Sequence, residues 1–513
     1  MLPEHTNTLY KEEAISSIAL TKDVAAKINE LVDAFNSMSE GDLKWKQTQE
    51  GIIRKGVLYM KDNLINTLQE LLKIYDYETV RRMVGEVFGE EVRLALTPKM
   101  FGAVGDGFTN DTAAIEKAIA ALKEGDVLCF PKGVYLMTGK PVEIPVANVT
   151  FEGDGMIRCD YGFRPKANHF KALGLRMECT SYGQDHRAFM IDNKIESGVI
   201  PNPIENFTFK DCYFKNFFYS VCAVGGSYNY DGTEEEGYFI SDVVVENCHS
   251  VTYTDQNAAH FQCIQVRNVA YINNRTYGGK NASSYNAIKG NGFIRVLGNY
   301  DHNNSYASCE IENGSGRAVV ANNTFGAKIW IDDSFDCVVN GNTSEDGISI
   351  TVGSNVGDSK NIVVSNNVCK NIRCEQFGTY EGGVIRSVNI IGNTVRGNQT
   401  HGIWIHGNAV ENAKITHNFI TGDNTNDIAI QRSTQLCCLI QGNFGNDHTL
   451  LIAGSGGEVF ALDNYMLTVS GNRDSLEASH LERAFNGLKV KDSSGVAWRV
   501  NVSTSGSVTT TQY

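Results

Sequence analysis

A recurring pattern of alternating apolar residues followed by asparagine organises the middle of the chain. Between residues 243 and 443, each copy has two or three alternating apolar residues, one small or polar residue, and then Asn. The closing asparagines are Asn247, Asn274, Asn299, Asn323, Asn342, Asn367, Asn393, Asn418 and Asn443. Their separations of 27, 25, 24, 19, 25, 26, 25 and 25 residues indicate a structural repeat.

Each repeat predicts short β-strands. A second alternating run follows each Asn, as at 328–333, 347–352, 402–407 and 427–432. Two short runs with period-two alternation favour a solenoid coil over a four-stranded propeller blade. We therefore expect parallel coils stacked roughly 4.8 Å apart around a core of inward Ile and Val. The asparagines are predicted to occupy one corner of each coil and to hydrogen-bond along the stack, which is a structural and not a catalytic role.

The first 97 residues carry a helical spacing instead. Apolar residues recur at 4-3-4-3 spacing from Val24 to Met38 and again from Ile53 to Ile74. Such a narrow seam predicts an α-helical coiled-coil stalk that associates with other copies of itself, with a helical hairpin as the alternative. A third helical run, 77–96, is expected to end before Pro98.

Residues 99–137 predict a strand, a glycine-rich turn, a helix at 111–122 that closes the end of the solenoid, and a further strand. Insertions are expected at 156–203 and 225–237, as recognition loops or as solvated surface loops. Near the C-terminus, a short helix is predicted at 476–486. Residues 488–513 alternate around two turns and predict a small β unit without a core of its own. These patterns divide the chain into domains 1–97, 98–470 and 471–513.

Composition excludes several classes of function. A formal charge of −14 over 513 residues argues against sequence-independent nucleic-acid binding. No apolar run could span a bilayer and the N-terminus lacks a signal-peptide core, so we expect a soluble protein made in a cytoplasm. Thirteen cysteines without CxxC pairs predict reduced packing residues. The clearest of these are Cys212, Cys248, Cys337, Cys369 and Cys437. Nucleotide, zinc-protease and serine-hydrolase motifs are missing, so neither a cofactor nor a metal is predicted.

The segment FGAVGDGFTNDTAAIEKAI at 101–119, followed by GDVLCFPKGVYLM at 125–137, resembles the opening signature of the pectate-lyase-like right-handed β-helix superfamily, as found in phage tailspikes and neck appendages. The resemblance covers about residues 99–470 and implies a mainly β fold, a right-handed single-stranded parallel β-helix. It says little about the reaction, because the superfamily includes lyases, hydrolases and lectin-like members. The family pattern often has a second acidic residue where this chain has Asn110. Asp106 and Asp111 are assigned to the end cap and not to catalysis.

The termini carry the same resemblance. The N-terminal seam resembles the virion-attachment segment of those appendages, and the C-terminal strands resemble β units that lock three phage-fibre chains together. The resemblance implies a homotrimer that attaches through its N-terminal segment to tail, neck or connector proteins of a virion. It also implies that the virion is assembled in the host cytoplasm. It also implies binding to a host surface polysaccharide or teichoic acid, without nucleic-acid binding or membrane insertion.

Candidate chemistry lies on the outward face of the second strand of each coil. The inward residues Ile311, Ile329, Ile331, Ile403 and Ile405 set the register. The outward residues are then Glu310, Glu312, Lys328, Trp330, Asp332, Trp404 and His406. Exposed aromatic rings beside paired carboxyl groups are what glycan binding and cleavage require.

Glu312 and Asp332 are the predicted catalytic pair. They should occupy adjacent coils about 5 Å apart, where crowding would raise the pKa of one of them. Glu310 or Asp333 would substitute if the register differs by about two residues. Trp330, Trp404 and His406 are the predicted substrate-binding residues. The alternative is that the carboxylates are solvated surface charges.

Together these features predict a phage appendage that binds host surface glycan and depolymerises it as a glycoside hydrolase or polysaccharide lyase. The second hypothesis is a receptor-binding spike that grips glycan without cleaving it. A free secreted lyase is disfavoured by the N-terminal seam and by the missing signal-peptide pattern.

Overall fold

The structure is a computed structural model. It describes residues 51–54, 57–60, 79–82, 93–181, 186–193, 201–226, 239–253, 259–286, 293–352, 358–376, 383–397, 400–406, 410–431, 437–445, 449–453, 458–462, 464, 468–471, 488–491, 497–502 and 508–512. The chain divides into two units, 1–181 with 208–213, and 182–207 with 214–513. No helix in the described ranges is long and apolar enough to cross a membrane.

The described part of unit 1 consists mainly of short strands, together with an α-helix at Thr112–Ala120. Its strands are Gly51–Arg54, Val57–Met60, Arg93–Leu94, Asp106–Asn110, Val127–Cys129, Val134–Met137, Val142–Ile144, Thr150–Glu152, Met156–Cys159, Phe163–Pro165, Lys171–Leu173 and Arg176–Cys179. The strands after residue 105 pair in parallel. Helix α1, Thr112–Ala120, follows a 3₁₀-helix at Pro98–Phe101.

Helix α1 confirms the predicted end-cap helix. It buries Ile115, Ala118 and Ile119 on one face. Asp111 stands at the N-cap position but makes no cap bond through its side chain. Its carboxylate instead accepts hydrogen bonds from the backbone N–H groups of Val104 (2.7 Å) and Gly105 (3.2 Å), so it holds the glycine-rich turn against the start of the helix.

The helical prediction before this point is confirmed at 79–82 and wrong at 51–54, 57–60 and 93–94. Gly51–Arg54 and Val57–Met60 form an antiparallel strand pair, with Gly51 opposite Met60 and Arg54 opposite Val57. The third run is helical at 79–82, but its last part, Arg93–Leu94, is a strand that pairs with Val57 and Leu58. The seam at 24–38 and the part of the second run after residue 60 lie outside the described residues.

The long insertion expected at 156–203 is also wrong. That segment contains the regular strands Met156–Cys159, Phe163–Pro165, Lys171–Leu173, Arg176–Cys179 and Arg187–Asp192. Irregular spacing between its apolar runs concealed the repeat. Most of the second expected insertion, 225–237, lies outside the described residues.

Unit 2 contains three parallel sheets, here called A, B and C. Sheet A contains Arg187–Asp192, Tyr219–Val224, Ala259–Ile264, Asn281–Asn286, Ala307–Glu312, Lys328–Asp332, Ile348–Val352, Ile372–Gln376, His401–His406, Asn426–Gln431, Thr449–Ala453 and Thr468–Gly471. Sheet B contains Ile240–Glu246, Val266–Ile272, Ile294–Leu297, Ala318–Ala321, Phe335–Asn340, Ser359–Ser365, Ile385–Ile391, Val410–Thr416, Cys437–Gln441 and Glu458–Leu462. Sheet C contains His249–Val251, Arg275–Tyr277, Tyr300–His302, Thr324–Phe325, Thr343–Ser344, Val368–Cys369, Thr394–Val395, Phe419–Ile420 and Phe444–Gly445.

Two further strands, Ile204–Lys210 and Tyr213–Lys215, are divided between the units. At the C-terminus, Leu488–Lys491 continues sheet A in parallel, and Ala497–Val502 and Val508–Gln512 follow as antiparallel neighbours. The predicted C-terminal β unit therefore has the expected strands. The helix predicted at 476–486 lies outside the described residues, and the domain boundaries at 97 and 470 stay predictions.

These sheets confirm the predicted parallel β-helix class. The core consists of inward residues repeated in each coil, among them Ile311, Ile350 and Ile405, all with no exposed surface. Twelve cysteines of the described chain are free. Cys212, Cys248, Cys337 and Cys369 are buried as predicted, whereas the side chain of Cys437 lies outside the described residues.

The predicted asparagine ladder is present and buried in unit 2. Asn367 illustrates its bonding. Its Oδ1 accepts hydrogen bonds from the backbone N–H and Nδ2 of Asn342, both at 2.9 Å. Its Nδ2 donates to Asn393 Oδ1 and to the carbonyl of Val339, both at 2.9 Å. Each ladder asparagine thus satisfies backbone and side-chain groups of the coils beside it, at a corner closed to water.

The ends of the ladder differ from the prediction. Asn247 is not a member, because it occupies the preceding left-handed turn position (φ 54°) and is exposed. Cys248 takes the ladder position there, and its N–H donates to Asn274 Oδ1 at 2.8 Å. The ladder also extends one step further than predicted, since Asn443 Nδ2 donates to Asn464 Oδ1 at 3.0 Å.

Replacing one ladder asparagine should strongly destabilise the fold. Asn367→Ala removes four hydrogen bonds and leaves buried donors and acceptors of neighbouring coils unpaired, so the free energy of unfolding should fall by at least about 3 kcal/mol. Chemical denaturation followed by far-UV circular dichroism measures it. Asn389→Ala, on the outward face of sheet B, is the control and should change stability by less than about 0.5 kcal/mol. Equal effects of the two substitutions would contradict the structural role of the ladder.

Candidate functional site

The candidate site lies on the outward face of sheet A. Alternation along each strand places Ile311, Ile331 and Ile405 inward, as predicted, and turns the intervening residues outward. Pairing stacks the outward residues in two columns. The first contains Glu310, Trp330, Ser349, Arg373 and Trp404. The second contains Asp332, Thr351, Glu375, His406 and Gln431, and begins with Glu312 one position beyond the Ile311–Ile331 pair.

Three carboxyl groups therefore converge on two adjacent strands. Glu310 Oε2 accepts a hydrogen bond from Asn281 Nδ2 at 2.6 Å, and Glu312 Oε1 accepts one from Asn286 Nδ2 at 2.9 Å. Asp332 Oδ1 accepts a hydrogen bond from the hydroxyl of Thr351. These bonds orient the carboxyl groups from the coils on either side of them.

The pKa values of Glu312 and Glu310 are both raised, chiefly by burial. Burial, followed by the charges of Glu310 and Asp332, raises the pKa of Glu312 to about 8. Burial also raises the pKa of Glu310, although Lys280 and Lys328 oppose the shift. Glu312 is consequently protonated at neutral pH and can act as an acid.

An aromatic and cationic cover lies beside the carboxyl groups. Tyr306 and Trp330 pack edge to face with ring centroids 5.3 Å apart. Lys328 Nζ lies 4.1 Å from the Tyr306 ring centroid and 4.5 Å from that of Trp330, and Lys280 Nζ lies 4.7 Å from Tyr306. Burial and then the three carboxyl groups raise the pKa of Tyr306 to about 12, so its hydroxyl remains a hydrogen-bond donor.

A second aromatic group lies further along the same face. The half-buried Trp404 ring is 4.6 Å from the ring of His406 and 5.3 Å from that of His401, measured between centroids. The Arg373 guanidinium lies 5.8 Å from the Trp404 centroid. Trp404 Nε1 donates to Gln431 Oε1 at 3.0 Å, which fixes the plane of the indole. The ring can offer its accessible part to a sugar.

The structure corrects the expected exposure of this face. Trp330 is only 6% exposed, Glu310 5% and Asp332 0%, so they are not surface residues. Trp330 is covered by Lys328 and Tyr306, and its Nε1 donates to Thr351 Oγ1 at 2.7 Å. The alternative of solvated surface charges fails for Glu310 and Asp332 for the same reason.

Ile311 pairs with Ile331 as the predicted register requires, because the register shift between these two strands lies earlier, between Ala307 and Cys309. Asp333 is set apart from the outward face of the strand. It lies buried in the left-handed turn after the strand (φ 44°), where its backbone N–H donates to the carbonyl of Thr351. The sequence analysis missed Thr351, Arg373 and Tyr306. The alternation rule could have found the first two, from the inward Ile350 and Cys374. Tyr306 precedes its strand and carries no alternation signal.

Across the described ranges, no group of three or more His, Cys, Asp or Glu residues is arranged to hold a metal ion. The polar atoms of the face are instead carboxyl, amide, hydroxyl and cationic groups. This set of groups can hydrogen-bond sugar hydroxyls and transfer protons.

Comparisons with known proteins agree with this fold. Residues 98–276 match the family described as Rhamnogalacturonase A/epimerase, pectate lyase-like. The pre-neck appendage protein of Bacillus phage B103 is 29% identical over 134 residues, covering 25% of this chain and 14% of that protein. The preneck appendage protein of Bacillus phage PZA is 22% identical over 497 residues, covering 81% of this chain and 56% of that protein. The chain thus covers 14% of the length of the first relative and 56% of the length of the second.

A crystal structure of pre-mature gene product 12 of bacteriophage phi29 aligns with a TM-score of 0.49 and 13% identity, over 80% of this chain and 61% of that one. The sequence matches confirm the predicted relationship to phage neck appendages and the pectate-lyase-like domain.

The raised pKa of Glu312 should make stability depend on pH. In the folded protein Glu312 keeps a proton that the unfolded chain releases above the ordinary pKa of 4.5. The contribution of Glu312 to the free energy of unfolding therefore falls as pH rises from about 4.5 to about 8. Urea denaturation at several pH values between 5 and 8 measures this fall in the free energy of unfolding, and Glu312→Gln should make it less steep. Glu116→Gln, an exposed carboxylate of helix α1, should keep the wild-type slope. An unchanged slope in Glu312→Gln would show that Glu312 titrates normally.

Proposed function

We propose that this protein is part of a phage virion appendage that binds a host surface glycan on the outward face of sheet A and cleaves it. The similarity to pre-neck appendage proteins of Bacillus phages supports the appendage. The observation that carries the chemistry is the convergence of Glu310, Glu312 and Asp332 on two adjacent strands beside aromatic rings, where burial and neighbouring charges raise the pKa of Glu312.

The proposed reaction is glycoside hydrolysis. Glu312 donates its proton to the oxygen of the scissile bond as that bond breaks, and Glu310 or Asp332 attacks the sugar carbon. Water then hydrolyses the glycosyl ester, with Glu312 taking up the proton of that water. For Asp332, which lies on the strand next to that of Glu312, the spacing of about 4.8 Å between neighbouring strands is near the carboxyl separation of retaining glycosidases. A retained sugar configuration is therefore expected.

The second candidate is a receptor-binding spike that does not cleave glycan. Its specific support is the complete burial of Asp332, whose carboxylate is held by the hydroxyl of Thr351. A nucleophile must reach the sugar carbon. If Glu310 does not serve instead, the carboxyl groups only hydrogen-bond sugar hydroxyls.

We also propose the assembly that accompanies this function. Three chains would associate through the N-terminal seam and the C-terminal strands, and the N-terminal segment would bind tail, neck or connector proteins. Binding of a polysaccharide or teichoic acid on the host surface would follow, in a virion assembled in the host cytoplasm.

Loss of the acid should abolish cleavage. Glu312→Gln keeps the size and the hydrogen bond of the side chain but has no proton to donate, so release of glycan fragments from host envelopes should fall by at least about a hundredfold. Wild-type cleavage should itself decline as pH rises through about 8, where Glu312 ionises. Glu116→Gln should cleave like the wild type. Wild-type protein that binds envelopes without releasing any fragment supports the second candidate instead.

Trp404→Ala should weaken binding without unfolding the protein. Trp404 is half-buried, and losing one stacked sugar costs about 1 kcal/mol, so affinity should fall about tenfold or less. Trp330→Ala is a poorer test because the buried indole supports Thr351 and its loss leaves a cavity. Isothermal titration with purified envelope glycan measures the effect. Unchanged affinity in Trp404→Ala would remove this ring from the binding surface.

A further inference from the structure

A second aromatic surface lies on sheet C, in three successive coils. We call it the sheet C platform; its residues are His249, Tyr253, Arg275, Tyr277, Tyr300 and His302. All six are exposed, including Tyr253 (67%), Tyr277 (38%) and Tyr300 (52%). A cluster of large aromatic side chains exposed to solvent adds nothing to the core and is typical of a binding surface.

The backbone fixes the spacing of the platform rings. The ring centroids of Tyr253 and Tyr277 are 5.8 Å apart, and those of Tyr277 and His302 are 6.0 Å apart. The coils are hydrogen-bonded where the rings emerge, since the N–H of Thr252 donates to the carbonyl of Tyr277 at 2.9 Å and the N–H of Gly278 donates to that of His302 at 3.0 Å.

Gly278 permits this close approach. It has φ 73°, and a Cβ there would lie 2.1 Å from the Thr252 carbonyl oxygen. The rings are therefore held about one coil apart before any ligand arrives. These side chains should therefore lose little conformational entropy when a ligand binds.

The platform is cationic on an acidic chain. None of its six residues is acidic, whereas the chain has a formal charge of −14. Arg275 carries a permanent positive charge. Burial, and then the Arg275 charge, lowers the pKa of His249, so Arg275 supplies the charge at neutral pH. Flat rings suit the faces of sugars, and a guanidinium suits a carboxylate or phosphate substituent.

The aromatic cluster is interrupted after these coils, and the next exposed rings of the same column, Phe419 and Phe444, lie several coils further on. After Arg275 and Tyr300, the same column continues with Thr324, Thr343 and Val368. A glycine, Gly326, follows in the coil after His302, where a Cβ would lie 3.2 Å from the His302 Cα. The platform therefore ends at His302 instead of running the length of the sheet.

The platform and the carboxyl cluster share one coil, which carries Tyr300 and His302 on sheet C and Glu310 and Glu312 on sheet A. Only a short turn separates Tyr277 from Lys280, and another separates His302 from Tyr306. Lys280 and Tyr306 contact each other beside Glu310 and Glu312. One polymer could follow the surface from sheet C to sheet A.

We propose that the sheet C platform is a second glycan-binding site, which takes an acidic glycan with sugar rings on Tyr253, Tyr277 and Tyr300 and a negative substituent on Arg275. The proposal rests on the glycan binding proposed above but not on cleavage. The platform holds the polymer while the neighbouring face of sheet A acts on it, which raises the effective concentration of the glycan there.

The test uses the full chain on a microarray of acidic and neutral bacterial polysaccharides, followed by titration with the best-bound member. Tyr277→Ala should weaken binding about tenfold, and Tyr277→Phe should keep it. Arg275→Gln should lose the preference for acidic members and the sensitivity of binding to salt. Phe419→Ala, an exposed aromatic of the same sheet outside the platform, is the matched control and should bind like the wild type.

The outcomes separate this inference from the proposed function. If Tyr277→Ala and Arg275→Gln bind like the wild type while Trp404→Ala does not, the platform proposal is overturned and the sheet A site stands. If only the platform variants weaken binding, the platform stands and the sheet A site fails. Wild-type protein that binds no member overturns both. A changed oligomeric state in the platform variants, with normal glycan binding, shows a contact between copies of the chain and overturns the platform.

Discussion

In-register stacking of successive coils is the constraint on which the described part of unit 2 depends. Each coil's backbone bonds to the next, and each ladder asparagine completes the bonding at one corner. The stack tolerates coils of different length. Asn323 and Asn342 are 19 residues apart, yet the N–H of Asn323 still donates to Asn342 Oδ1 at 3.0 Å. Variation in length is absorbed in the connections between strands, so residues on the strand faces keep fixed neighbours.

Fixed neighbours explain how a solenoid can hold an unfavourable cluster. Register sets Glu310 beside Trp330 and Ile311 beside Ile331. Glu312 and Asp332 follow these isoleucines, close enough for the charge of Asp332 to raise the pKa of Glu312. Burying like charges costs free energy, which the chain tolerates because the ladder and the isoleucine core stabilise the same coils. Strongly perturbed carboxyl groups beside accessible aromatic rings are characteristic of functional sites. Surface charges that served only solubility would have no reason to be desolvated.

The sequence predicted well what depends on periodicity. Alternation identified the inward isoleucines and placed Glu312 and Asp332 on adjacent strands. Their catalytic pairing stays a prediction. Alternation failed to predict burial where a residue outside the strands covers the outward face of the sheet. Trp330 appears exposed from alternation, but Tyr306, from the turn before a neighbouring strand, packs against it. Asn247 was misplaced because turn asparagines and ladder asparagines occupy adjacent positions with the same residue type.

Local helical spacing misled the prediction at 51–60. Ile53, Val57 and Met60 fit a helix by spacing, yet the four residues Gly51–Arg54 pair with Val57–Met60 as antiparallel strands. Short apolar runs fit both the helical period and the strand period. Only the presence of a strand to pair with decides which structure forms.

The length of the sheet A face bears on the kind of ligand it suits. From Glu310 to Trp404 the first column passes through Trp330, Ser349 and Arg373, which is four steps and roughly 19 Å at the spacing of parallel strands. A single sugar cannot contact both ends of such a column. In the proposed function, Trp404 and Glu312 would therefore act together only on a polymer that lies along the stack. Affinity would then come from many weak contacts in successive coils, while the chemistry would stay where register brings Glu310, Glu312 and Asp332 together.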